Sequence, residues 1–405
     1  MKKIVFVAPP FAGHLNPQLV LAVAARDAGY DVSVITGEQK LAAVRAVGLP
    51  AHGLASIGRD TLESIANTSR RVGSNPALLL GQFRQNLALL PGIRDELRAS
   101  WKAERPDLVV ADFVAPVAGF VSEELGIPWI TTMPTPFAIE NRRGVPAYCG
   151  GWRPGFPLRD AAGRLVIRGF KKAVAWHFRK EFDALGGGFP YREDGSERIY
   201  SPHAILGIGM AELEFDRDWP ACFSMIGPVM DCPDNLPPLE YPEGKQRVLV
   251  SVGTHLLWAK RTLAEDTVRL AKRFPDVQFV VSLGGGEGAV GPVAENVTVY
   301  RFVPYMRDLG NFDALLHHGG AGIVYAAIIW GRPSVAVPHD YDHFDYAARV
   351  EHFDLGLRAS AFAKSGDALQ RVLARRDWPA LARMQECARR YRPAESFLAA
   401  VRKLI

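Results

Sequence analysis

Residues 4–8, Ile4-Val5-Phe6-Val7-Ala8, form a run that is apolar at every position and rich in β-branched side chains. A strand with one wet face alternates apolar and polar residues. A run without alternation belongs to a strand buried on both faces, as in a parallel sheet covered by helices on each side. Parallel strands need long crossover connections, usually helical, so this one run already points to an α/β fold. The loop Pro9-Pro10-Phe11-Ala12-Gly13-His14-Leu15-Asn16-Pro17 follows. Asn16 is the expected N-cap and Pro17 the first residue of a helix reaching about Ala28 and stopping at Gly29. Residues 31–36 then read as the next strand, residues 107–113 and 126–132 as further ones, and residues 204–210 as a late one. A second series begins at Arg247, with strands expected at 248–252, 278–283, 297–303, 314–316 and 334–337 and helical segments between most of them. The proline- and acid-rich stretch 229–246 between the two series reads as a linker. The expectation is two Rossmann-like, doubly wound domains, 1–228 and 247–390, facing across a cleft. An amphipathic helix over 391–405 is free to pack back on the first domain.

The 405 residues are 48% hydrophobic and 22% charged, the make-up of a core-forming chain of two or three domains. A net charge of +5 suits an anionic small substrate and is too weak to argue for nucleic acid. Cys149, Cys222, Cys232 and Cys387 lack metal-type spacing and read as reduced thiols of a cytoplasmic protein. The apolar start breaks at Pro9-Pro10 without a small-residue cleavage site, unlike a secretory signal, and no run approaches a membrane span.

Two places carry chemistry. His317-His318-Gly319-Gly320-Ala321-Gly322 lies between two apolar runs and reads as strand, glycine turn, helix. Glycines let the backbone approach a ligand closely, and the first N–H groups of the following helix favour an anion such as phosphate. The bland reading is a tight turn that binds nothing. His14 leaves the first strand, and Asp112 ends the strand 107–113, so both reach one sheet edge. A histidine and a carboxylate there can act as base and orienter. Their plain alternatives are a loop histidine bonded to backbone and a helix N-cap before residues 115–125. Residues 133–162 look like long loops around a pocket. Residues 164–182 alternate Arg168, Lys171, Lys172, Arg179 and Lys180 with Val166, Phe170, Val174, Trp176 and Phe178. A solvated basic helix face and a membrane or anionic contact are both open there. Gly186-Gly187-Gly188 reads as a flexible turn without phosphate signature.

Taken together these residues resemble the inverting GT-B glycosyltransferases of the UDP-glycosyltransferase superfamily, in particular the bacterial antibiotic and natural-product branch. The resemblance rests on Gly13-His14-Leu15-Asn16-Pro17 and Val110-Ala111-Asp112-Phe113 in the first half. In the second half it rests on Val250-Ser251-Val252-Gly253-Thr254, Phe302-Val303-Pro304-Tyr305, the turn 317–322, and Val337-Pro338 through Asp342-His343. It implies His14 as base and Asp112 as its partner. It places the diphosphate of a UDP- or dTDP-sugar on His318 and the backbone of Gly320, Ala321, Gly322 and Ile323, with Gly253 and Thr254 nearby. Phe302 and Val303 would flank the nucleobase, and Asp342, with His343 beside it, would take the sugar hydroxyls. No metal or other cofactor is implied, and Asp340-Tyr341-Asp342 would then be a sugar-contacting acid rather than a metal motif.

The chain departs from the family at Ile323, where relatives carry Thr or Ser, and at His343 and Tyr305, where many carry Gln. Ala326 stands where plant relatives have a ribose-binding Glu. The implied acceptor is an apolar, hydroxyl-bearing natural product bound near residues 133–182, in a monomer or homodimer. Alternatives are a lipid or carotenoid acceptor with residues 164–182 on a membrane, a nucleotide-sugar epimerase of the same architecture, and a noncatalytic helper.

Overall fold

The computed structural model describes residues 1–58, 61–66, 76–147, 150–185, 191–231, 238–242, 246–285 and 287–405. The triple glycine 186–188, Cys149, Cys232 and half of the expected linker lie outside the described residues.

Two seven-stranded sheets organise the chain. The first contains β1 (Lys3–Val7), β2 (Asp31–Thr36), β3 (Ala51–Gly53), β4 (Leu108–Asp112), β5 (Trp129–Met133), β6 (Ala204–Gly207) and β7 (Phe223–Met225), in the order β3-β2-β1-β4-β5-β6-β7. All its pairs are parallel. The second contains β8 (Gln246–Ser251), β9 (Val277–Ser282), β10 (Gly291–Ala294), β11 (Val297–Tyr300), β12 (Ala314–His317), β13 (Ser334–Ala336) and β14 (Gly356–Arg358), in the order β10-β11-β9-β8-β12-β13-β14. Only β10 runs antiparallel, on the edge against β11. Ile4 to Val7 and Val248 to Val250 are almost fully buried, as non-alternating runs require.

In each sheet the chain starts in the middle, builds outward to one side, then returns to build the other. The direction reverses between β1 and β4 in the first sheet and between β8 and β12 in the second. Such switch points open a crevice at the carboxyl ends of the strands, and open α/β sheets bind ligands there. His14 follows β1 and Asp112 ends β4. Gly253 follows β8 and the 317–322 turn closes β12. The topology alone therefore aims all four segments at crevices.

One local expectation is corrected. The helix after β1 spans Ala12–Asp27, with Phe11 as N-cap and Pro17 inside it. The N–H of His14 and that of Leu15 both bond to the Phe11 carbonyl, at 2.9 and 2.8 Å. Pro17, the sixth helical residue, forgoes the bond its N–H would make to the Gly13 carbonyl, and the helix continues through it. Asn16 is therefore no cap; its side chain donates to Asp231 at 2.8 Å. His14 sits in the first helical turn instead of a free loop, which fixes its backbone.

The last helix, Pro393–Leu404, packs against Ala12–Asp27 of the first domain. Its Phe397 and Val401 are fully buried in that domain's core, and the Phe397 ring lies 5.8 Å from that of Phe6.

Candidate active site

His14 donates from Nδ1 to Asp112, 3.0 Å from one carboxylate oxygen and 3.2 Å from the other. Asp112 is buried and also accepts the N–H of Val114 at 3.0 Å. It thus braces the turn before the helix Pro116–Leu125 while holding the histidine ring, but it is not that helix's N-cap, which is Ala115. With Nδ1–H committed to the carboxylate, Nε2 is the basic atom. The ring lies between Phe11 and Phe113, at centroid distances of 6.1 and 5.6 Å. Burial by itself pulls the imidazole toward the neutral form. The charge and hydrogen bond of Asp112, with a smaller pull from Asp342, outweigh it and hold His14 above the usual histidine value.

Asp342 belongs to the other domain, as the residue before the helix His343–His352. It accepts the hydroxyl of Thr135 across the cleft at 3.1 Å. Burial raises its carboxyl; Thr135 and His14 pull the other way. His14 of one domain and Asp342 of the other are therefore close enough to feel each other's charge. Tyr341, just before it, holds a left-handed φ of 51°, as does Leu256 at 59° next to His255. Non-glycine residues rarely adopt that region, and such strain gathers at ligand sites.

The 317–322 turn is built tightly. Gly319 has φ +90°, and a side chain there would meet the His343 carbonyl at 2.9 Å. Gly253, at φ +74°, lies under the His318 ring, where a Cβ would sit 2.8 Å from it. A Cβ at Gly322 would meet nothing, so open space lies beside the first turn of the helix Ala321–Trp330. His318 crosses His343 edge to face at 4.7 Å. Burial, and then the neighbouring His343, His317 and His339, keep His318 well below the ordinary value, and its Nδ1 has no partner. The ring also has a hydrogen bond with the Ser251 backbone, and beside it begins the helix Ala321–Trp330, whose first N–H groups favour an anion such as phosphate.

The other expected residues fall as follows. Phe302 is partly exposed; Val303 is buried and its N–H bonds Ser282 Oγ at 3.2 Å. The Thr254 carbonyl accepts Lys260 at 2.7 Å, and burial lowers that amine to about 8. Ile323 turns its side chain into the core beside Leu249 and Val280, so only its backbone faces the turn. His343 Nδ1 accepts the N–H of Asp340 at 3.1 Å, and burial lowers its pKa to about 3. Tyr305 exchanges a hydrogen bond with Ser251 at 2.9 Å.

Sequence reasoning missed Thr135 and His255. The His255 ring meets the edge of Phe11 at 5.2 Å from the opposite domain, and burial lowers it to about 4. Both residues matter only because the domains face each other, and no local pattern carries that. A separate cavity of about 380 Å³, lined by Glu140, Asn141, Arg164, Leu165 and Arg168, includes neither His14 nor the glycine turn. The geometry of the switch points, rather than cavity size, marks the site.

Residues 272–387 match the C-terminal domain of the erythromycin biosynthesis protein CIII-like family. The chain is 25% identical over 391 residues to the zeaxanthin glucosyltransferase of Pseudescherichia vulneris, covering 90% of this chain and 87% of that one. It is 27% identical over 379 residues to the 4'-demethylrebeccamycin synthase of Lentzea aerocolonigenes, covering 88% and 87%. The crystal structure of the Streptomyces sp. SF2575 glycosyltransferase SsfS6 complexed with thymidine diphosphate superposes with TM-score 0.69 at 20% identity, over 99% of this chain and all of that one. The chain thus has the GT-B fold, carries an erythromycin biosynthesis protein CIII-like C-terminal domain, and has natural-product glycosyltransferases among its relatives.

Proposed function

We propose that the protein is a glycosyltransferase that moves a sugar, with inversion, from a dTDP- or UDP-sugar to a hydroxyl of an apolar small molecule. The observation that carries this reading is the meeting, across one cleft, of the braced His14/Asp112 pair and Asp342, whose charges influence each other. His14 Nε2 takes the proton of the acceptor hydroxyl as its oxygen attacks the anomeric carbon. The bond from that carbon to the diphosphate oxygen breaks on the opposite face, and the nucleoside diphosphate leaves with the electron pair. Asp112 stabilises the imidazolium that forms. The N–H groups at the start of Ala321–Trp330 and the His318 ring take the charge gathering on the leaving group, a role that elsewhere falls to a divalent ion. Asp342 binds hydroxyls of the transferred sugar.

The relatives support a transferase over an epimerase, and a base braced for an incoming alcohol has no task in a noncatalytic helper. The bound thymidine diphosphate of the superposed structure favours dTDP-sugars as the first donors to try. The test is a donor and acceptor screen followed by His14→Ala. Turnover should fall about 100- to 10,000-fold, while nucleoside diphosphate affinity, read by calorimetry, stays within a few fold. Product NMR should give the inverted anomer, and excess EDTA should leave the rate unchanged. Full turnover by His14→Ala, or strict dependence on added manganese, overturns this mechanism.

A further inference from the structure

We propose that the outward face of the helix Pro157–His177 is a docking surface for an anionic lipid bilayer. An ordinary surface helix turns its apolar stripe inward and its charges out. Val174 and Ala175 of this one do pack inward, yet several of its larger apolar side chains face outward. Its inner side holds Asp160, which is buried and accepts its neighbour Arg159 at 2.8 Å, and Arg164, which donates to the Gly144 carbonyl. Lys171 also turns inward, 2.6 Å from Glu197 and 3.3 Å from Glu140.

The outer side is apolar. Leu158, Leu165 and Trp176 are 86%, 73% and 70% exposed. With about 3.6 residues per turn, their spacing sets all three on one line along the helix. Val166, also exposed, widens the stripe beside Ala162, Gly169 and Ala173. An exposed stripe of large apolar side chains on a folded chain marks a surface that meets something else.

The flanking charges say what. Lys172, Arg179 and Lys180 border the stripe, are all exposed, and have no carboxylate partner among the described residues. The Arg179 guanidinium lies over the Trp176 ring at 5.4 Å, coupling a cation to the aromatic side chain at the end of the stripe. Apolar side chains at the centre, unpaired cations at the rim and an indole at one end are what a helix lying in the headgroup layer of an anionic membrane needs. The apolar residues enter the acyl boundary and the ammonium and guanidinium groups stay among the phosphates. No helix among the described residues is long and apolar enough to cross a membrane, so the contact is peripheral. A membrane-dissolved acceptor would be collected at this face, a corollary that rests on the transferase reading and is not needed for the docking itself.

The test uses the full-length chain and no activity assay. Its cosedimentation is measured with vesicles of phosphatidylcholine alone and of phosphatidylcholine with phosphatidylglycerol. Binding should be strong only to the anionic vesicles and should weaken as salt is raised. Leu165→Ser with Trp176→Ser should lower the affinity about tenfold or more, with an unchanged circular-dichroism melt because both side chains are exposed. Lys172→Gln with Lys180→Gln should weaken binding at low salt. Equal binding to both vesicle types, no binding to either, or binding untouched by these variants overturns the proposal. So does a wild-type dimer that Trp176→Ser turns into a monomer, because the face would then belong to a second copy of the chain.

Discussion

At the residue scale, His14 is the product of opposed forces. Burial between Phe11 and Phe113 disfavours its charged form; Asp112 reverses the balance and leaves its pKa raised. A base works only when unprotonated. The acid limb of kcat/KM should therefore climb through a point above the usual histidine value near 6.5. Asp112→Asn removes the charge but keeps the shape. Burial then dominates, so the limb should move to lower pH, while the plateau falls about 100-fold or more because the imidazolium loses its stabiliser. A pH profile of both proteins checks this, and a limb that stays in place after the substitution removes Asp112 from its role. Asp112 was legible because it is polar at the end of an apolar strand, and His14 because it follows the connection leaving the first strand, so both come to the carboxyl edge of the sheet. Thr135 and His255 were not. Their relevance comes from the facing of two domains, and nothing near them in the chain encodes it.

At the scale of elements, the interior strands were readable and the four edge strands were not. β1, β2, β4, β8 and β9 have five or six residues each and repeat one buried, non-alternating pattern. β3, β7, β10 and β14 carried no expectation: they are short and only partly buried, so they lack the apolar run that marked the equally short β12 and β13. They close the outer ends of the sheets and do not touch the site, so the crevices were found without them. The start of the helix after β1 was misplaced for a different reason. Asn16-Pro17 is a sound local start signal, but the backbone had already turned at Phe11, and a proline within the first turns does not stop a helix. The final helix belongs to the first domain by packing. Phe397 is fully buried there against Phe6. Phe397→Ala should therefore cost about 3–5 kcal/mol, the usual range for a truncated core aromatic. The loss should appear as reduced hydrogen-exchange protection in β1 and Ala12–Asp27, at the other end of the sequence. Protection lost only within residues 393–404 would contradict the packing.

At the scale of the whole molecule, a buried cluster around Arg349 helps tie the two domains together. Arg349, from the helix His343–His352, reaches into the first domain and pairs with Glu214 at 2.7 Å, both side chains almost fully buried. Its guanidinium lies 4.0 Å from the centre of the Phe137 ring and 4.5 Å from that of Phe215. Tyr346, one turn earlier, donates to the Pro134 carbonyl at 2.7 Å. Arg349 and Tyr346 sit on the helix that Asp342 precedes, so the cluster sets how Asp342 faces His14. A buried ion pair loses much of its Coulomb gain to desolvation, whereas one partner left alone is a bare buried charge. Arg349→Met should thus destabilise the protein by about 3–5 kcal/mol. Adding Glu214→Leu should restore part of that loss, because Arg217 and Asp345 remain beside the site as one cation and one carboxyl, and no net charge is stranded. Urea unfolding of the two single variants and the double variant measures the coupling. Strictly additive losses would mean that the guanidinium is held by the two aromatic rings rather than by the carboxylate, and that the domain contact is a packing joint instead of an electrostatic one.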